Sequence, residues 1–174
     1  MADQTVPPVT TAEEVSIDPL IVQAAMQRLR SEQNLVMAVL AGGAAALLGA
    51  LTWAVITATI SYQIGWMAVG VGFLVGYAVR TFGKGIDRSY GAVGALWSLA
   101  GCAAGNLLAV ITLVSQHQNI PVLDILGRLD AEVIANLMRA TFSPMDLLFY
   151  GIAVYEGYRF SFREITKNDL AKIS

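Results

Sequence analysis

The chain has 174 residues, of which 56% are hydrophobic and 14% charged, with a formal net charge of −2. Soluble domains carry about 25% charged residues, so this composition excludes an ordinary soluble fold. The acidic balance also lacks the clustered basic face of a nucleic-acid binder, and the single cysteine, Cys102, excludes an intrachain disulfide.

Residues 1–17 contain Pro7-Pro8, Glu13-Glu14 and no basic residue, the composition of a disordered cytoplasmic tail. Asp18-Pro19 has the form of an N-cap followed by proline at the first helical position. Leu20, Ala24 and Leu29, beside Ile21, Ala25 and Arg28, recur at helical spacing and predict an amphipathic lead-in helix over residues 18–34. A long polar lead of this kind does not fit a secretory signal, which opens on a basic region and has an apolar stretch of only about 7 to 15 residues.

No Asp, Glu, Lys, Arg or His occurs from Leu35 to Val79, or from Ser89 to Gln116. A membrane-crossing helix needs about 20 apolar residues. The first gap divides at Ser61-Tyr62-Gln63 and Gly65 into helices over 35–60 and 64–82. Gly83-Lys84-Gly85-Ile86-Asp87-Arg88 forms the next turn, and a third helix runs over 90–114.

Residues 115–143 read as an external loop and amphipathic helix. Ser115 to Asn119 is polar and holds the only histidine, His117. After Pro121, Val122, Ile125, Leu126, Leu129, Val133 and Leu137 share one face. Asp124, Arg128, Asp130, Glu132 and Arg139 interrupt the segment too often for a span, so it is expected to lie in the interface.

A fourth helix, residues 144–163, is near energetic balance alone. Its Leu, Ile, Val and Phe side chains each favour insertion by about 0.3–0.6 kcal/mol, while one central charge opposes it by about 2.5–3.5 kcal/mol. Topology favours insertion. With four crossings, Arg28, Arg30, Arg80, Lys84, Arg88, Arg159, Arg163, Lys167 and Lys172 fall on one side and only Arg128 and Arg139 on the other. The positive-inside rule makes the richer side cytoplasmic, with both termini and the 164–174 tail there. The expected fold is all-α, a four-transmembrane-helix bundle with an interfacial amphipathic helix between helices three and four, in a bacterial inner membrane.

Helix association in lipid depends on close backbone approach. Small residues supply it at Gly42, Ala46, Ala50, Ala54 and Ala58, at Ala68, Gly72 and Gly76, and at Gly94, Ser98, Gly101, Gly105 and Ala109. These ridges serve packing within the chain, or also form a homo-oligomer, meet a membrane-protein partner or line a pore.

Glu156 is the foremost candidate for chemistry, because an intramembrane carboxylate is costly and needs a partner or water. Helix counting puts Asn106 at a similar depth, with Arg159 one turn along and Arg80 at the inner end of helix two available to neutralise it. Thr52, Thr57 and Thr59 are expected to bond back to their own helix. Tyr62, Trp66 and Tyr90 fit an aromatic belt, and Trp53 and Trp97 fit packing. His117 has no ligand companion, so no metal is expected. Neither Gly70-Val71-Gly72-Phe73-Leu74-Val75-Gly76 nor Gly83-Lys84-Gly85 has nucleotide-motif spacing, so no cofactor is expected.

Leu51-Thr52-Trp53-Ala54, Ser61-Tyr62-Gln63-Ile64-Gly65-Trp66-Met67-Ala68, Val75-Gly76-Tyr77-Ala78-Val79-Arg80 and Gly83-Lys84-Gly85 lie between Gly49 and Gly94. With Asp146-Leu147-Leu148-Phe149 and Ala153-Val154-Tyr155 in the last helix, they resemble a family of uncharacterised small bacterial multi-span integral membrane proteins. That resemblance implies the architecture and no activity. The metal-binding cysteine ribbon that some of that group carry has no counterpart here, so no metal role carries over.

The expected function is therefore non-enzymatic, a membrane scaffold or accessory subunit whose surroundings are the lipid bilayer and a packing partner. The alternative is a small channel or transporter subunit using Glu156 and Asn106. A lipid-modifying enzyme would need a cluster of nucleophile, base or metal ligands that the apolar segments lack.

Overall fold

The structure, a computed structural model, describes residues 19–62 and 64–164. The expected tail at 1–17, the expected 164–174 tail apart from Glu164 (including Lys167 and Lys172), the Asp18 cap and Gln63 lie outside the described residues. Those described form seven helices and no strand: α1 (Pro19–Ser31), α2 (Leu35–Ile60), α3 (Met67–Gly83), α4 (Arg88–Gln118), α5 (Val122–Leu126), α6 (Ala131–Thr141) and α7 (Pro144–Phe160). The fold is all-α.

Only α2 and α4 are long and apolar enough to cross a membrane by themselves, and α3 is a shorter apolar helix of 17 residues. At 1.5 Å per residue, α2 and α4 extend about 39 and 46 Å, whereas α3 and α7 extend only about 25 Å. Helix length and composition thus mark two candidate spans among the described residues, α2 and α4.

Helix ends account for the differences from the expected boundaries. Asn34 caps α2 by accepting from the Met37 N–H at 3.0 Å, and Ser61 closes it in the left-handed conformation at φ 52°. The expected second helix at 64–82 runs instead from Met67 to Gly83, and Gly65 lies in the preceding turn, where a Cβ would lie 2.6 Å from the Phe149 ring. The third helix runs beyond 90–114 at both ends. The polar Ser115–Gln118 continues it, and the Gln116 side chain donates to the Ala58 carbonyl oxygen at 2.7 Å.

The expected single amphipathic helix after Pro121 is two. α5 stops at Gly127, and Asp130 starts α6 by accepting from the Val133 N–H at 2.7 Å. The last helix opens on a reciprocal cap between Ser143 and Asp146 with Pro144 at the first position, and ends at Phe160 rather than residue 163.

Contacts between glycines and facing residues fix the directions. Ala46 and Ala50 of α2 meet Gly101 and Gly105 of α4, so these helices run parallel. Gly42 and Gly49 meet Val79 and Val71, making α3 antiparallel to α2. Gly72 meets Ala153 and Gly76 meets Phe160, so α7 runs parallel to α3. The central pair α3 and α4 touches both α2 and α7, leaving α2 and α7 at opposite corners. One end of the bundle carries Arg30, Arg80, Lys84, Arg88, Arg159 and Arg163. We call it the basic end.

The core consists mainly of small residues and valine: Ala38, Ala45, Ala46, Ala68, Val71, Val75, Val79, Ala109 and Ala153 surround Trp53, Cys102 and Tyr150. Such side chains admit close helix approach, and dispersion summed over many contacts holds the helices together.

Candidate functional site

All seven packing positions singled out in the sequence, Gly42, Ala46, Ala50, Gly72, Gly76, Gly101 and Gly105, are buried between helices of this chain. A Cβ at Gly42 would lie 2.8 Å from the Trp97 ring, and one at Gly105 would lie 2.7 Å from the Trp53 ring. Gly94 and Gly157 form a further close approach between α4 and α7, with Ser98 and Ser161 packed beside them. Ser161 donates to the Gly157 carbonyl oxygen at 2.6 Å.

The four charged or polar candidates do not converge. Asn106 is 1% exposed and lies against the Tyr150 hydroxyl, which donates to the Cys102 carbonyl oxygen at 3.1 Å. The Cys102 thiol in turn contacts the Ala68 carbonyl oxygen at 3.6 Å, so this level of α4 is joined to both α7 and α3. Glu156 lies six residues beyond Tyr150 along α7, about 9 Å farther toward the basic end. There its backbone carbonyl adjoins Gly76 and its neighbour Gly157 adjoins Ser98. The shared Glu156–Asn106 depth expected from helix counting is not formed, because α7 meets Asn106 through Tyr150.

Arg80 does not neutralise Glu156 either. Its guanidinium binds the Glu164 carboxylate at 2.9 Å, beyond the end of α7. Arg159 is exposed and stands 5.8 Å over the Phe160 ring. Glu156 is half-buried and only four residues from the end of α7, about 6 Å along the axis. The early end of α7 leaves Glu156 and Arg159 near the basic end, where α3 carries Arg80.

The most extensive polar network lies there too, on residues that sequence reasoning did not single out as a site. Gln33 donates to Asp87 at 3.0 Å and accepts from the backbone N–H groups of Ile86 and Asp87 at 3.2 and 3.4 Å. The Asn34 N–H donates to the Gly83 carbonyl oxygen at 2.9 Å. Arg163 donates from its backbone to Gly85 at 2.9 Å and pairs with Glu32 at 2.7 Å. That guanidinium holds the Glu32 carboxyl below its ordinary 4.5. The lead-in to α2, the α3–α4 turn and the segment after α7 are thereby tied into one collar. Its only signal in the sequence is the nearness of polar residues to three helix ends, and pairing over 54 or 131 positions cannot be read from local spacing.

Among the described residues no three His, Cys, Asp or Glu side chains come together. Compared with protein-family models, with curated proteins and with solved structures, the chain matches none.

Proposed function

We propose that this chain is an integral membrane protein that crosses the bacterial inner membrane four times with both termini cytoplasmic, and that it serves as a non-enzymatic scaffold or accessory subunit. The observation that carries this reading is the outward surface of the bundle. Leu40, Leu48 and Val55 on α2 are 62%, 61% and 64% exposed, Leu96 on α4 is 67% exposed, and Leu147 on α7 is 66% exposed. Phe73, Leu74 and Tyr77 face outward from α3 in the same way. Water does not tolerate so continuous an apolar surface, and lipid does.

The two short helices fit a bilayer whose hydrocarbon is about 30 Å thick through local thinning and through Arg80 and Arg159 extending to the headgroups. The basic end then faces the cytoplasm. The ridges of Gly42 to Ala50, Gly72 to Gly76 and Gly101 to Gly105 are occupied within the chain, so a partner would meet the outward apolar faces, where Gly70 and Gly151 have open space. The first comes from α3 and the second from α7.

Membrane-impermeant thiol labelling tests the crossing. Tyr62→Cys and Lys84→Cys introduced singly, with Cys102 replaced by alanine, should react from opposite faces of sealed vesicles. Reaction from the same face sinks the four-span reading. Crosslinking in native membranes tests the scaffold role: it should capture a stable complex, and recovery of the monomer alone would overturn it.

A further inference from the structure

We propose that the α3–α7 seam at the basic end binds the headgroup of a phospholipid carrying both a phosphate and a primary ammonium group, with Arg159 holding the phosphate and Glu156 the ammonium. This site rests on the membrane-spanning reading above.

Glu156 and Arg159 lie one helical turn apart on α7, near its end at Phe160. They carry opposite charges, yet among the described residues neither forms an ion pair within 4.0 Å. Arg80, the nearest basic candidate from α3, is held by Glu164 at 2.9 Å. Arg159 is turned over the Phe160 ring at 5.8 Å, which leaves its guanidinium outward.

The seam itself is apolar. Phe160 packs edge-on against Phe73 at 4.9 Å and fills the space beside Gly76, while Phe73 and Tyr77 remain 51% and 57% exposed. An acyl chain would lie along these rings, with the two charges at headgroup depth. A guanidinium offers a planar set of donors suited to a phosphate, and a carboxylate accepts hydrogen bonds from a primary ammonium. A quaternary ammonium has no N–H to donate to Glu156, and a glycerol headgroup has no cationic end. The two side chains therefore select among phospholipids by headgroup chemistry.

Native mass spectrometry of the full-length protein, titrated with ethanolamine, choline and glycerol phospholipids of identical acyl chains, tests the assignment. The ethanolamine lipid should bind about tenfold more tightly than the choline lipid, the ratio expected for one charge-assisted hydrogen bond. Glu156→Gln should erase that preference while leaving choline-lipid binding unchanged, Arg159→Gln should weaken all three, and Arg80→Gln should leave the preference intact. Equal binding of the ethanolamine and choline lipids to the unmodified protein overturns the proposal whether or not Glu156→Gln folds, as does a preference that survives Glu156→Gln. Thiol labelling from opposite faces together with equal binding rejects this site alone, whereas labelling from one face rejects the membrane reading beneath it.

Discussion

Gly72 of α3 approaches α7 so closely that a Cβ at its position would lie 2.7 Å from the Ala153 Cα. Two residues earlier on the same helix, a Cβ on Gly70 would meet nothing within 4 Å. The two glycines share a helix and a local sequence, yet only one bears on the packing of its neighbour.

Gly72→Ala should lower stability by about 1–3 kcal/mol, the range for forcing extra volume into a packed interface. Gly70→Ala should change it by no more than about 0.5 kcal/mol, as for other outward positions. Reversible unfolding in mixed detergent micelles measures both, and equal effects would refute the α3–α7 contact.

Tyr150→Phe removes the hydroxyl that donates to the Cys102 carbonyl oxygen and adjoins Asn106. The expected loss is about 0.5–1.5 kcal/mol, at the low end if the carbonyl retains its own helical bond. Combining it with Asn106→Ala should cost less than the sum of the two single changes, because the second substitution removes a contact already lost. Strict additivity in the same unfolding measurement would show that the two side chains act apart.

The Glu32–Arg163 pair carries a pH dependence of definite sign. The Glu32 carboxyl is held below 4.5 in the folded protein, with the hydrogen bond from Arg163 the largest cause and its charge the next. A depressed carboxyl stabilises the fold above its unfolded pKa, and that contribution disappears as pH falls through the lower folded value. The melting temperature should therefore fall on acidification below about pH 4.5, and Glu32→Gln should remove part of that fall. Both side chains are partly exposed, so added salt should reduce the effect. An acid dependence identical in Glu32→Gln would remove the pair from the account.

The helical hairpin from Leu35 to Gly83 was legible because its signals are local. A charge-free run establishes an apolar helix residue by residue; α2 starts where that run starts, at Leu35, and ends at Ile60, just before the polar Ser61-Tyr62 that divides it. Helix ends set by tertiary contact were not legible. Gly65, in the turn before α3, packs against Phe149, 84 positions away. The polar Ser115–Gln118 stays helical partly because Ala58 offers a carbonyl to Gln116.

The candidate site was legible in its residue types and misjudged in its arrangement. Glu156, Arg159 and Arg80 stand out in any reading of charges against an apolar background, but the level at which Glu156 sits follows from the register of α7 against α3 and α4. That register is set by Gly72 on Ala153, Gly157 on Ser98 and Tyr150 on Cys102, none of which has a spacing rule. The collar of Gln33, Asp87, Glu32 and Arg163 was invisible for the same reason.

Composition and the two charge-free runs determined by themselves that the chain is helical and apolar, because hydrophobic periodicity and the lack of charge act on each segment independently. Which glycines face a neighbour, which arginine meets which carboxylate, and how far Glu156 stands from Asn106 were decided only when four helices packed. Those relationships depend on where backbones can approach most closely, and that is a property of pairs of helices rather than of any one segment.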